Sequence, residues 1–117
     1  LTSIDGGAFQ NCSSLTSIAI PAGVTSIGSS AFESCSSLTS IEISDGVTSI
    51  GMSVFDSCSS LTSIEIPVGV TRLKDFVFYG CSSLTSITIP EGLKSIFRRC
   101  YNNSIYFQFF NRNNYRL

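Results

Sequence analysis

Residues 24–46 read VTSIGSSAFESCSSLTSIEISDG, and related segments precede and follow them at a fixed spacing of 23 residues. A period in this range is typical of a solenoid, in which each repeat forms one turn of a continuous coil. The chain therefore divides into turns 1–23, 24–46, 47–69 and 70–92, with a partial turn at 93–96, and we predict that residues 1–96 form one solenoid. Two strictly spaced columns carry this interpretation: Phe9, Phe32, Phe55, Phe78 and Cys12, Cys35, Cys58, Cys81.

Each turn contains two segments that favour extended structure. Ile41 and Ile43 are β-branched and alternate with polar residues, a pattern typical of a short half-buried strand. Equivalent strands of successive turns should stack in parallel, about 4.8 Å apart. Residues 47–50 form a second short extended stretch, and the spacing in 31–35 predicts one helical or 3-10 turn. At residues 20–23 a type I turn is expected, with Pro21 second and Gly23 fourth. The predicted class is mainly β with short helical or 3-10 turns and parallel stacked strands.

The composition argues against most enzyme and cofactor chemistry. Hydrophobic residues make up 43% of the 117-residue chain and charged residues only 13%, and there is no histidine. Without histidine the usual Ser–His or Cys–His nucleophile pair cannot form. We also find no lysine-containing, glycine-rich phosphate loop and no apolar run near the roughly 18 residues of a membrane span. We predict that the chain is not an enzyme and that it binds no cofactor and no metal.

The net charge of −1 conceals a strong asymmetry. Residues 1–92 carry all eight acids and two bases, Arg72 and Lys74, whereas residues 93–117 carry five bases and no acid. Residues 97–117 also lose the repeat pattern, and we expect either a degenerate C-terminal cap or a disordered basic and aromatic tail. The chain starts at Leu1, inside a repeat, and no signal peptide is found, so a piece of a longer protein is expected.

The cysteine column invites a disulfide or metal interpretation, but neither fits well. Stacked cysteines would lie within disulfide range, yet parallel Cα–Cβ vectors are poor geometry for bonding. Zinc binding is not expected, because the sequence has no histidine, no Cys-x-x-Cys pair and no loop to complete a tetrahedron. Because cysteine is among the most buried residue types, a reduced and buried cysteine ladder is the preferred prediction.

The repeat pattern resembles the BspA-like, or Treponema-type, subfamily of leucine-rich repeats. The matching columns run through Ala31, Phe32, Cys35, Leu38, Ile41, Ile43, Val47, Ile50 and Gly51. The resemblance implies a leucine-rich-repeat solenoid and a secreted or cell-surface protein of host-associated bacteria or parasitic protozoa. It also implies adhesion, including binding to matrix proteins such as fibronectin and fibrinogen. The sequence departs from the pattern where Asp5 and Lys74 replace the glycine seen at Gly28 and Gly51.

A protein-interaction module with an adhesive role is the leading functional hypothesis, and a structural spacer within a longer repeat array is the alternative. The Thr-Ser columns beside the strands are interpreted as hydroxyls that solvate a flat surface, with contact to a partner as the second interpretation. The expected partner is a protein, with matrix proteins as candidates and nucleic acid excluded. Membrane contact would occur only through an anchor outside this sequence, and the chain is expected to be a monomer or part of a longer array. The predicted binding face is the outward side of the main sheet, comprising Ser40, Glu42, Ser63, Glu65, Ser86 and Thr88.

Overall fold

The structure is a computed structural model that describes residues 2–96 and 108–110. Ten short strands alternate between two columns of parallel strands, the main ladder and the second ladder, and the hydrogen-bonded pairing of each ladder is interrupted once. The strands of the main ladder are β2 (Ser17–Ile20), β4 (Ser40–Ile43), β6 (Ser63–Glu65), β8 (Ser86–Thr88) and β10 (Gln108–Phe110). The strands of the second ladder are β1 (Ser3–Ile4), β3 (Ser26–Ile27), β5 (Ser49–Ile50), β7 (Arg72–Leu73) and β9 (Ser95–Ile96).

The register of the strands confirms the predicted repeat. In the main ladder Ile18 pairs with Ile41 and Ile64 pairs with Ile87, each 23 residues along the chain. The phenylalanine column forms a continuous stack, with ring centroids 5.2 to 5.9 Å apart and interplanar angles of 2 to 8°. Residues one period apart therefore lie above one another, and the solenoid class with parallel stacked strands is confirmed.

The predicted helical or 3-10 turns are corrected to consecutive β-turns. The backbone N–H groups of Ala31, Glu33 and Cys35 close turns to carbonyls three residues earlier. Those of Ser30, Phe32 and Ser34 instead donate to carbonyls 22 residues later, in the next turn of the solenoid. None of the described residues forms a helix, because positive φ values interrupt a right-handed helix. Positive φ recurs in two columns of the repeat: Gly7, Ser30, Ser53, Phe76 and Asn11, Ser34, Ser57, Gly80.

The turn after β2 also differs from its prediction. Val24 donates its N–H to the carbonyl of Pro21, so the hydrogen-bonded turn spans 21–24 rather than 20–23. Gly23 is its third residue, with a φ of 97°. Proline has no N–H to extend the strand, but its carbonyl can still begin a turn. Pro67 and Pro90 accept the equivalent hydrogen bonds in later turns.

The core is a single apolar column enclosed between the two ladders and the β-turn segment. It contains one phenylalanine, one cysteine, at least one leucine and several β-branched residues from each inner turn, and no polar or charged side chain is buried among the described residues. The first turn is less covered: Phe9 and Leu15 are half-buried, whereas Phe32 and Leu38 are fully buried. Burial therefore depends on having a neighbouring turn on both sides.

The predicted cap or tail at 97–117 lies largely outside the described residues. Within it, β10 pairs in parallel with β8, and Phe109 lies opposite Ile87. The offset between them is 22 residues, one fewer than in the preceding turns. The choice between a cap and a tail stays a prediction.

Candidate interaction surface

The strand alternation of the main sheet separates an inner from an outer face. Ile41 and Ile64 are buried in the core, whereas their neighbours Ser40, Glu42 and Glu65 are exposed. Successive side chains of a strand point to opposite faces, so these polar residues lie on one outer surface. Of the six residues of the predicted binding face, five are exposed and one, Ser86, is half-buried: Ser40, Glu42, Ser63, Glu65, Ser86, Thr88.

The outer residues form two parallel columns, which we call the outer strip. Ser63 lies opposite Ser86 and Glu65 lies opposite Thr88 in the β6–β8 pairing. Ser17 and Ala19 occupy the same two columns in β2, opposite Ser40 and Glu42. β4 and β6 lie next to each other but are not paired. The structure therefore brings all six predicted residues onto one outer surface, whose strand pairing is interrupted between β4 and β6, and it adds Ser17 and Ala19 at the start of that surface.

The charge of the outer strip comes from Glu42 and Glu65 alone. Both carboxylates are exposed, and neither forms an ion pair or a side-chain hydrogen bond within the part of the chain that the structure describes. Their strands, β4 and β6, are not paired, and like charges on neighbouring strands do not stabilise a sheet. The two carboxylates are therefore available to groups outside the molecule.

The threonine columns have a structural role that sequence analysis did not predict. The hydroxyl of Thr25 donates to the carbonyl of Thr2 at 3.0 Å, and the backbone N–H of Thr25 donates to the same oxygen at 2.8 Å. Each such carbonyl thus accepts two hydrogen bonds from the threonine of the next turn. The same paired bonds occur at Thr39, Thr48 and Thr85. These hydroxyls therefore form hydrogen bonds between successive turns and do not only solvate the surface.

The cysteine column is reduced, and three of its four members are buried, as predicted. The thiol of Cys58 donates to the carbonyl oxygen of Phe32 at 3.1 Å, and Cys81 makes the equivalent bond to Phe55 at 3.0 Å. Burial raises the pKa of Cys58 to about 12, and burial also raises the pKa of Cys81. These thiols are therefore not nucleophiles at neutral pH.

Cys12 departs from the prediction of a wholly buried ladder, because it is exposed. The carbonyl that covers each later cysteine belongs to the preceding turn, as Phe9 covers Cys35. No described residue lies one turn before Cys12 to supply the equivalent carbonyl. Cys100 lies outside the described residues.

A small hollow in the second ladder was not predicted from the sequence. β5 and β7 are adjacent but not paired, and a hollow of about 200 Å³ opens between them. Both bases of residues 1–92 line it. Their departures from the repeat were visible in the sequence, since Arg72 interrupts a serine column and Lys74 a glycine column, but only the fold shows that the two face one hollow. The lining residues are Thr48, Ser49, Ile50, Thr71, Arg72 and Lys74.

The described residues contain neither a candidate metal site nor a candidate membrane-spanning helix. Residues 2–96 contain no group of three or more cysteine, aspartate or glutamate side chains placed to hold a metal ion. Within the same residues no helix has the length and apolar character of a membrane span. The outer strip is thus the most extensive candidate site, and the hollow is the second.

The comparison with protein families agrees with this geometry. The model of the BspA type leucine-rich repeat region matches residues 1–114 in six copies. The chain belongs to the BspA-type leucine-rich repeat family. Leucine-rich repeats of this family are non-catalytic repeat modules suited to binding other proteins. No curated protein matches the chain.

Solved structures of bacterial leucine-rich repeat proteins share the fold. A leucine-rich repeat protein of T. pallidum is 32% identical over 86% of this chain, with a TM-score of 0.82. One from Eubacterium ventriosum is 32% identical over 82% of the chain, with a TM-score of 0.71, and one from Bacteroides ovatus is 26% identical over 94%, with a TM-score of 0.67. The chain spans only 47%, 25% and 40% of these three proteins, respectively.

Proposed function

We propose that this BspA-type repeat chain is an adhesive protein-interaction module at the cell surface or in the secreted fraction, and that the outer strip contacts its protein partner. The observation that supports this proposal most strongly is the pair of exposed carboxylates without ion-pair partners, Glu42 and Glu65, on the outer face of the main ladder. The partner is a protein with a basic patch, and matrix proteins such as fibronectin and fibrinogen are the candidates that the family resemblance suggests.

The mechanism is the presentation of a rigid, shallow surface. Paired threonine bonds and the phenylalanine stack hold successive turns in a fixed register, so binding requires little ordering of the surface. Exposed charged side chains on such a surface, here Glu42 and Glu65, favour rapid association with an oppositely charged partner. Further repeats in a longer protein would add avidity by presenting several copies of the surface at once.

Charge reversal within the outer strip tests the proposal. The double variant Glu42→Lys/Glu65→Lys should bind immobilised fibronectin or fibrinogen at least about tenfold more weakly than the wild type, with most of the change in association rate and with a smaller salt dependence. Surface plasmon resonance at two salt concentrations measures both effects. Circular dichroism and thermal unfolding confirm that the double variant is folded.

The matched control is Asp5→Lys/Asp45→Lys, which makes the same change in net charge at two exposed positions outside the outer strip. This control should bind within about twofold of the wild type. Equal weakening in both double variants would show that net charge, rather than the outer strip, determines binding.

A structural spacer is the second candidate function. The bonds that join successive turns come from the backbone and from hydroxyl and thiol side chains of the chain itself, so the stack does not depend on a ligand. If the wild-type chain binds none of the matrix proteins, and charge reversal changes nothing, the spacer function is favoured and the adhesive proposal fails.

A further inference from the structure

The hollow between β5 and β7 is the one place where the described stack opens in the second ladder. In the preceding turns the N–H of Thr48 donates to Thr25 and the N–H of Gly51 donates to Ile27, at 2.9 Å each. The equivalent bonds, from Thr71 to Thr48 and from Lys74 to Ile50, are not formed, although all four residues are described. On the β-turn side of the same two turns the backbone bonds remain, for example from Phe55 to Val77 at 3.0 Å. In the main ladder of these two turns β6 and β8 also remain paired, so the opening here is confined to the second ladder. The main ladder is unpaired at a different junction, between β4 and β6.

We attribute the opening between β5 and β7 to the residue at position 74. A Cβ placed on Gly51 would lie 2.6 Å from the backbone nitrogen of Ser29 in the preceding turn, so close stacking in this column requires glycine. Gly28 is under the same constraint against Asp5 and Gly6. Lys74 carries a Cβ in this column, and its turn must therefore lie farther from β5. The substitution that opens the hollow also lines it with a cation.

The chemistry of the hollow is cationic and rich in hydrogen-bond donors. Arg72 stands where the other turns have serine, and it lines the hollow beside Lys74. Neither side chain forms an ion pair or a hydrogen bond with the described residues, and no carboxylate lines the hollow. The N–H groups of Thr71 and Lys74, which in other turns would donate to the preceding strand, have no backbone acceptor there.

We propose that this hollow binds an oxyanion group, either a carboxylate or a sulfate or phosphate group. Arginine and lysine with convergent backbone N–H donors are the groups that proteins use for such anions. The volume of about 200 Å³ is below the roughly 300–1,000 Å³ of pockets for whole small molecules, so the hollow takes one charged group rather than a complete metabolite. This site is separate from the outer strip and does not depend on the adhesive function.

The test is a ¹H–¹⁵N NMR titration of the whole chain with sodium sulfate in one arm and sodium acetate in the other, at constant ionic strength set with sodium chloride. We expect saturable shifts of the Ser49, Thr71, Arg72 and Lys74 amides in at least one arm. The arm that saturates at the lower concentration identifies the preferred anion as tetrahedral or carboxylate. In Arg72→Ser, which restores the serine of the column, the dissociation constant should rise about fivefold or more.

Two further variants separate the hollow from general charge effects. Lys74→Gly restores the glycine of the column, and it should close the hollow and abolish the saturable shifts. Lys94→Thr removes one positive charge from an exposed position one turn away, outside the hollow, and should leave the dissociation constant within about twofold of the wild type. Shifts that stay linear in both arms, or that saturate equally in Arg72→Ser and the wild type, would overturn the proposal.

Discussion

At the scale of single residues, cysteine behaves here as a small apolar residue with a weak donor. Cys35, Cys58 and Cys81 each direct the thiol to a phenylalanine carbonyl 26 residues earlier, in the preceding turn. The column therefore adds one side-chain bond between turns at each buried position. An alanine would pack less well there, and a serine would bury a hydroxyl in an apolar column.

The exposure of the thiols predicts their reactivity. Brief treatment of the native protein with iodoacetamide at pH 8 should alkylate Cys12 and leave Cys58 and Cys81 unmodified, because only thiolates react and burial suppresses their formation. Peptide mapping by mass spectrometry measures the result, and alkylation in denaturant provides the control. Early modification of Cys58 in the native protein would contradict the buried assignment.

The same thiols predict a loss of stability at alkaline pH. The pKa of Cys58 is raised from 9.0 to about 12 in the fold, so the native state keeps this proton while the unfolded state loses it. Stability is therefore fully present below about pH 9 and decreases as the pH rises above it. Urea midpoints between pH 7 and 10.5 check this slope, which should be smaller in Cys58→Ala. An unchanged slope in that variant would count against the burial of this thiol.

At the scale of elements, glycine and the β-turns decide how closely turns approach. Consecutive turns replace the predicted helical turn because half of their N–H groups are needed to bond the next turn of the solenoid. Close contact in the second ladder depends equally on the absence of a side chain at Gly28 and Gly51. Where Lys74 takes that place, the β5–β7 pairing is absent.

Two glycines that lie five residues apart, Gly46 and Gly51, should therefore respond differently to substitution. Gly51→Ala should lower the free energy of unfolding by about 1–3 kcal/mol, because its Cβ meets backbone that cannot rotate away. Gly46→Ala, the matched control, should change stability by less than about 1 kcal/mol, since its Cβ would lie 3.7 Å from the nearest atom. Urea unfolding measures both variants, and equal effects would contradict the close approach at Gly51.

At the scale of the whole molecule, stability is shared between neighbouring turns. A single turn cannot bury its own phenylalanine, and inner turns bury theirs only because rings stack above and below. The same side chain should therefore contribute differently according to its place in the stack.

The phenylalanine column allows this effect to be measured. Phe55→Ala should cost about 3–5 kcal/mol, as is usual for truncation of a buried aromatic. Phe9→Ala should cost less than half as much, because Phe9 is half-buried in the first turn. Denaturant midpoints compare the two, and Phe55→Leu replaces Phe55→Ala if the latter does not fold. Equal costs would show that the turns do not share burial in this way.

Much of this architecture could be predicted from the sequence by itself. The 23-residue period predicted the stacking of Phe32 on Phe55, the inward isoleucines and the outward Ser40 and Glu42, because side-chain alternation and repetition are local properties of a chain. The buried cysteines followed from their place in the same pattern. Only the tertiary structure decided which hydroxyls bond to the next turn, that Cys12 is exposed, and that Arg72 and Lys74 face a common hollow. Those features depend on distances between turns, and such distances are set by the backbone of one turn meeting the side chains of another.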